Sequence, residues 1–278
     1  MKYLQCGRYR FKLEGRGFRP LVMGILNITP DSFSDGGKYL SLPAALSHAE
    51  EMIQEGVDII DIGAESSRPG ADPVPLQEEL DRILPVVEAL KDCGKPLSID
   101  TYKPEVMVAA LIHGADMIND ICGFISDGAL EAVAGSDCGL CVMHMQGSPK
   151  NMQRCPHYED VIHEVSDFLE QRVSDLKEAG ISENRICIDP GFGFGKTLED
   201  NLALLKNMDA LREKLDLPVL AGLSRKSIVA ALTGRSVEKR LAGNLAIALS
   251  AVEHGAAILR VHDVGETLDA LKVWLATR

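Results

Sequence analysis

The chain alternates short apolar runs with longer amphipathic segments. The apolar runs 21–27, 57–63, 96–101, 115–120, 139–145, 186–191, 218–224 and 256–263 read as strands. Most are apolar at successive positions and not at alternate ones, the pattern of strands covered on both faces. Between them lie helical patterns. In Pro43–Glu55, residues Ala45, Leu46, Ala49, Met52 and Ile53 share one face, and Gly56 follows as a helix stop. Tyr158–Ala179 repeats the pattern ahead of Gly180, and Asn201–Leu215 reads as one further helix. The segments EGVDIIDIG, HGADMINDI and HGAAILRVHD form a weak internal repeat of helix end, glycine and buried strand. Repeated βα units of this kind imply a parallel sheet with right-handed crossovers. Eight of them predict an α/β fold, a (β/α)8 TIM barrel spanning 1–278 as a single domain. Residues 1–20 precede the first barrel strand, and YRFKLEGRGF within them reads as a short hairpin capping the barrel bottom.

Composition narrows the class. The 278 residues carry 29 Lys+Arg against 41 Asp+Glu, a net charge of −12, which argues against a general nucleic-acid binder. No apolar run reaches the ~18 residues that span a bilayer, and the start lacks the apolar centre of a signal peptide. The seven cysteines therefore read as reduced thiols of a cytoplasmic protein.

Active sites of α/β barrels lie at the strand C-termini, and nearly every strand here ends in a polar side chain. In chain order these are Asn27, then Glu65, Ser67 and Arg68, then Asp100, Asn119 with Asp120, His144, Asp189, Ser224 to Lys226, and Arg260 with His262 and Asp263. The ring divides into two chemical halves. Asp100, Asn119 and Asp189 suit a flat heterocycle with an amidine-like N–H edge, since a carboxylate accepts two parallel N–H bonds. Arg68, Arg260 and His262 offer cations or donors, with Asn27 nearby as a neutral oxygen donor. That set suits a phosphate or pyrophosphate with Mg2+, which prefers oxygen ligands. Other signals carry duller readings. GFGFGKT (191–197) resembles a phosphate-binding loop, but Pro190 stands where that motif needs its first glycine. Cys138 and Cys141 form a CxxC with no second pair at zinc spacing. His144 reads as a core histidine, Arg225 as part of a structural ion pair, and Glu65 and Asp120 as loop braces or site residues in equal measure.

The ordered motifs LNITPDSFSDGG (26–37), ESSRPGA (65–71), SIDTYKPEV (98–106), INDICGF (118–124), MHMQGSP (143–149), IDPGFGFGK (188–196), GLSRKS (222–227) and RVHDV (260–264) resemble those of the dihydropteroate synthases. The resemblance covers roughly residues 21–270. It implies a homodimeric barrel that joins 4-aminobenzoate to 6-hydroxymethyl-7,8-dihydropterin pyrophosphate, with Mg2+, by an SN1-like displacement of pyrophosphate. By motif it assigns Asp100, Asn119, Asp189, Gly222 and Lys226 to the pterin. Asn27, Arg68, Arg260 and His262 go to pyrophosphate, with Asn27 also meeting the metal. Ser67, Pro69, Phe194, Lys226 and Ser227 go to 4-aminobenzoate. Asp100, Lys226, Arg260 and His262 are the catalytic set, and segments 27–37 and 65–71 are mobile loops. Ser67 and Ala64 stand where many members have Thr and Gly; Ser keeps the hydroxyl and loses a methyl contact. Asn244 replaces a common Ser on a helix and suggests no function. Pterin-binding barrels that transfer a methyl group share the Asp/Asn pocket, but have no need of the SRPGA loop or the RVH set. A catalytically silent paralogue would be expected to lack Asn27, Lys226 or His262.

Overall fold

A computed structural model describes residues 2–15, 19–28 and 42–277. It opens with an antiparallel hairpin, β1 (Tyr3–Cys6) and β2 (Tyr9–Lys12). The barrel strands are β3 (Leu21–Asn27), β4 (Ile59–Gly63), β5 (Leu97–Asp100), β6 (Met117–Asp120), β7 (Gly139–Met143), β8 (Ile186–Asp189), β9 (Val219–Ala221) and β10 (Ala256–Val261). They pair in parallel in chain order, and β10 closes on β3. The barrel matches the expectation from the apolar runs. Most strands stop a few residues inside their predicted ranges, because the polar ends of those runs turn out of the ladder into the loops.

Helices α1 (Leu42–Glu55), α2 (Leu76–Leu90), α3 (Pro104–His113), α4 (Ala129–Ala134), α5 (Val161–Glu178), α6 (Leu198–Lys206), α7 (Met208–Leu215), α8 (Ser227–Thr233), α9 (Leu241–Glu253) and α10 (Val264–Ala276) surround it. Helix α1 buries Ala45, Ala49 and Met52, one stripe at helical spacing. Helix α5 starts where Asp160 accepts hydrogen bonds from the N–H groups of Ile162 and His163, which satisfies donors that the first turn leaves free. These apolar stripes meet the outward faces of the strands in one large core that includes Val22, Ile60, Ile99, Ile118, Val142 and Ile188.

Two details depart from the sequence reading. The hairpin uses Tyr3–Cys6 as its first arm, one strand earlier than YRFKLEGRGF suggests. The reason is packing: Leu4 and Cys6 alternate inward and fill the barrel bottom against Met23, Ile59, Met117, Cys141, Cys187 and Ile258. The predicted helix Asn201–Leu215 is two helices, broken at Asn207. Asn207 has a non-helical conformation, and its side chain donates to the Ala203 carbonyl, a local bond that competes with helix continuation. Among the described residues, no helix is long and apolar enough to cross a membrane.

Candidate active site

The C-terminal ends of the barrel strands converge on a charged cluster. Asp100 ends β5, Asn119 lies near the end of β6, and Asp189 ends β8. Arg260, on β10, reaches across the barrel between carboxylates. Its Nε donates to Asp61 Oδ2 at 2.6 Å and its Nη2 to Asp100 Oδ2 at 2.6 Å. Asn119 Nδ2 also donates to Asp61 Oδ2, at 3.3 Å. Burial opposes the charge on Arg260, but Asp61 and Asp100 more than offset it and raise its pKa. Burial also lifts Asp100 to about 7, against the pull of Arg260 and with the push of Asp61, Glu79 and Asp120.

Gly222 marks the meeting point. A Cβ there would lie 3.7 Å from Asp189 Oδ2, 3.7 Å from Lys226 Nζ and 3.9 Å from Arg260 Cβ. The missing side chain leaves a bare wall on which a flat ring can lie with a carboxylate and an ammonium at its edges. A second meeting point is Gly63. A Cβ there would be 3.6 Å from both Asn27 Oδ1 and Asp100 Oδ2.

Asp189 is buried and accepts from the Gly191 N–H at 2.7 Å. Desolvation raises its pKa, and Lys226 and Gly191 oppose the rise. Lys226 precedes the first turn of α8. Its Nζ donates to the Phe192 carbonyl and lies 4.6 Å from the centre of the Phe194 ring. Desolvation brings it down to about 8, although Asp189 favours its charge. His262 Nδ1 is 3.1 Å from Ser224 Oγ. Burial and the charges of Arg225, Arg260 and Arg68 push it down to about 3 against Asp263.

These contacts correct one expectation. The acidic and cationic halves are interleaved, not opposed, because Arg260 is bound within the carboxylate set. His262 stays neutral at physiological pH and contributes a hydrogen-bonding ring, not a positive charge. Ser67 is half-buried, while Arg68, Pro69 and Ser227 are exposed. Glu65 braces the 65–74 segment: it accepts from the Val74 N–H, the Tyr102 hydroxyl and Lys103 Nζ. Asp120 accepts from the N–H groups of Cys122 and Phe124 and so also braces a loop. Arg225 pairs with Asp263, as expected. Of the predicted mobile loop 27–37, residues 29–37 lie outside the described residues.

Sequence reading missed three contributors. Asp61 sits inside an apolar strand, with Oδ1 buried and without a hydrogen-bond partner among the described residues. A lone carboxylate in an otherwise apolar strand was the available signal. Ile121, Met143 and Met152 pack with Tyr102 around the predicted Phe194 as an apolar wall. Asn244 accepts from the Arg225 N–H at 3.1 Å and donates to Asp263. It thereby holds Arg225 at φ +60°, in the turn between Ser224 and Lys226.

A parallel barrel whose mouth combines buried carboxylates, an amide and cations around a bare glycine has the construction of a pterin-binding site. Residues 23–262 match the family described as pterin binding enzyme. Within that class, the dihydropteroate synthase of Neisseria meningitidis serogroup C is 47% identical over 98% of this chain and 96% of its own length. The Burkholderia cenocepacia dihydropteroate synthase, solved with 7,8-dihydropteroate, has a TM-score of 0.90 and 52% identity, covering 100% of this chain and 96% of that one. The Xanthomonas albilineans dihydropteroate synthase, solved with 4-aminobenzoic acid, has a TM-score of 0.91 and 49% identity over 99% and 97% of the two chains. The chain belongs to the dihydropteroate synthase family.

Proposed function

We propose that the mouth described above carries out the dihydropteroate synthase condensation. 6-Hydroxymethyl-7,8-dihydropterin pyrophosphate and 4-aminobenzoate give 7,8-dihydropteroate and pyrophosphate. The observation that carries this reading is the convergence of Asp189, Lys226 and Arg260 on Gly222. Asp189 and Asn119 hold the amidine-like edge of the pterin, and Asp100 sits beside the ring. The exocyclic C–O bond breaks first, in an SN1-like step, because the electron-rich dihydropterin spreads the positive charge as pyrophosphate departs. Asp100 and Asp189 face that cation. Arg260 and Arg68 draw off the leaving anion, and neutral His262 offers it a ring N–H. Preorganised donors of this sort are worth about 3 kcal/mol each. The neutral arylamine then attacks the methylene carbon, and its proton leaves to water or to pyrophosphate. Ser67, Pro69, Phe194, Lys226 and Ser227 position the aminobenzoate. Closure of segment 65–71 would keep out water, whose attack wastes the activated pterin.

The donor set suits Mg2+ bound together with pyrophosphate. Among the described residues no cluster of three His, Cys, Asp or Glu side chains forms a metal cage. Mg2+ ordinarily takes one or two protein oxygens and completes its shell with phosphate oxygens and water. Asn27 Oδ1, at the mouth beside Gly63, would supply such an oxygen. When bound, the ion would neutralise charge on the leaving anion.

The reading also takes the chain as one domain acting as a homodimer in the cytoplasm. Exposed Leu232, Val237 and Leu241, in and beside α8 and α9, supply apolar surface in keeping with an interface. The direct test mixes the purified protein with both substrates and Mg2+, following pyrophosphate and dihydropteroate together. Equal release of the two is expected. Pyrophosphate release with no dihydropteroate would overturn the reading.

A further inference from the structure

The Gly-rich segment whose spacing excludes a phosphate loop ends in a lysine of another kind. Lys196 is only 3% exposed. Its Nζ donates to the carbonyls of Gly191 at 3.0 Å and Phe194 at 3.1 Å, and meets His144 Nδ1 at 2.9 Å. The His144 carbonyl lies slightly farther away, at 3.4 Å. Burial and the Lys196 charge hold His144 down at about 3, so Nδ1 is free to accept. One side-chain nitrogen thus ties the 191–196 turn to the end of β7. The turn has little freedom of its own. Gly191 has φ +70°, and a Cβ there would collide with the His144 carbonyl. Two further side chains grip the segment from outside. The Tyr158 hydroxyl donates to the Gly195 carbonyl at 2.7 Å, and Asn201 Oδ1 accepts from the Gly193 N–H at 2.7 Å.

This turn presents two groups to Lys226: the Phe192 carbonyl that its Nζ donates to, and the Phe194 ring beneath it. We propose that Lys196 is a positioning residue, which clamps the turn to His144 so that Phe192 and Phe194 hold Lys226 and the aminobenzoate side of the site in place. The proposal rests on the assignment of Phe194 and Lys226 to aminobenzoate under the proposed function.

The test compares Lys196→Met, Tyr158→Phe and Phe194→Ala. Each is assayed for its aminobenzoate KM, for kcat, and for dihydropterin pyrophosphate affinity by calorimetry. Lys196→Met is expected to raise the aminobenzoate KM about tenfold, and Tyr158→Phe about threefold, as fits the loss of several bonds against one. Pterin affinity should weaken less than the aminobenzoate KM rises, since Lys226 is shared with the pterin side but Asp100, Asn119 and Asp189 are untouched. General damage to the fold would instead lower kcat through the active fraction, or weaken both ligands to the same extent; either pattern overturns the proposal. So does a folded Lys196→Met enzyme with an unchanged aminobenzoate KM. Should Lys196→Met fail to fold, Tyr158→Phe decides, because it removes one hydroxyl from the same turn. Phe194→Ala separates the two layers of argument. An unchanged KM there removes the underlying site assignment, whereas a raised KM beside a normal Lys196→Met removes the clamp alone.

Discussion

The two ends of the barrel are built on the same strands and do opposite work. Near the N-terminal ends, the interior is filled by Ile59, Met117, Cys187, Leu220 and Ile258, closed below by Leu4 and Cys6. Two residues further along each of those chain segments stand Asp61, Asn119, Asp189, Gly222 and Arg260. Side chains two apart share a face of a strand, so each inward face passes from apolar to chemically active within one step. At the bottom, burial stabilises with no polar groups to satisfy. At the top, carboxylates and cations are held out of water, and each depends on the others to offset its desolvation.

That contrast predicts that changes at the top damage chemistry, while changes at the bottom damage only the fold. The largest effect should come from Arg260→Ala. It strands Asp61 and Asp100 as buried charges, with an expected loss of about 3–5 kcal/mol of stability, and it harms the pyrophosphate-dependent steps. Denaturant melts together with steady-state kinetics check both; wild-type kinetics would reject its anion role. Leu4→Ala should cost about 2–5 kcal/mol through the cavity left in the bottom plug, with kcat/KM nearly unchanged at temperatures where the variant is folded. A matching drop in kcat/KM would mean that the two ends are not independent. Asp189→Ala should weaken pterin binding by at least about a hundredfold, as expected when charge-assisted hydrogen bonds are lost; calorimetry showing wild-type affinity removes it from the pocket.

A pH profile sharpens the contrast further. Lys226 at about 8 is lowered from its ordinary value, so its charge is present below that pH and disappears above it. The specificity constant kcat/KM should therefore fall as pH rises through about 8, and Lys226→Met should abolish that limb along with most activity. His262, held near 3, should give no limb near its ordinary 6.5. An inflection near 6.5 that vanishes in His262→Gln would contradict its neutral state. The smallest effect belongs to a site remote from both ends. Asp160→Ala removes the cap of α5 and should cost about 1 kcal/mol, visible in thermal melts and absent from kinetics.

Much of this is legible in the chain. Eight apolar runs separated by helical spacing define a barrel, and polar residues at the run ends mark its mouth. The motif order then points to the family. What escapes reading depends on partners distant in sequence. Asp61 looks like an interruption of an apolar strand until Arg260, 199 residues away, is seen bonded to it. Lys196 belongs to a motif whose spacing only excludes a phosphate loop; its role appears once His144 is beside it. The hairpin is misplaced from sequence because its weak alternation is decided by the barrel bottom, which no local pattern reports. The chain leaves His262 as a cation or a donor; burial and three arginines, known only from the fold, push its pKa down and favour the neutral donor.

The plug formed by Leu4 and Cys6 packs the barrel bottom with apolar side chains. In the proposed reaction, substrates and products then meet at the opposite, C-terminal end of the strands. On that reading the pyrophosphate leaves from the same end at which the arylamine arrives, so the order of their traffic becomes part of the catalytic cycle.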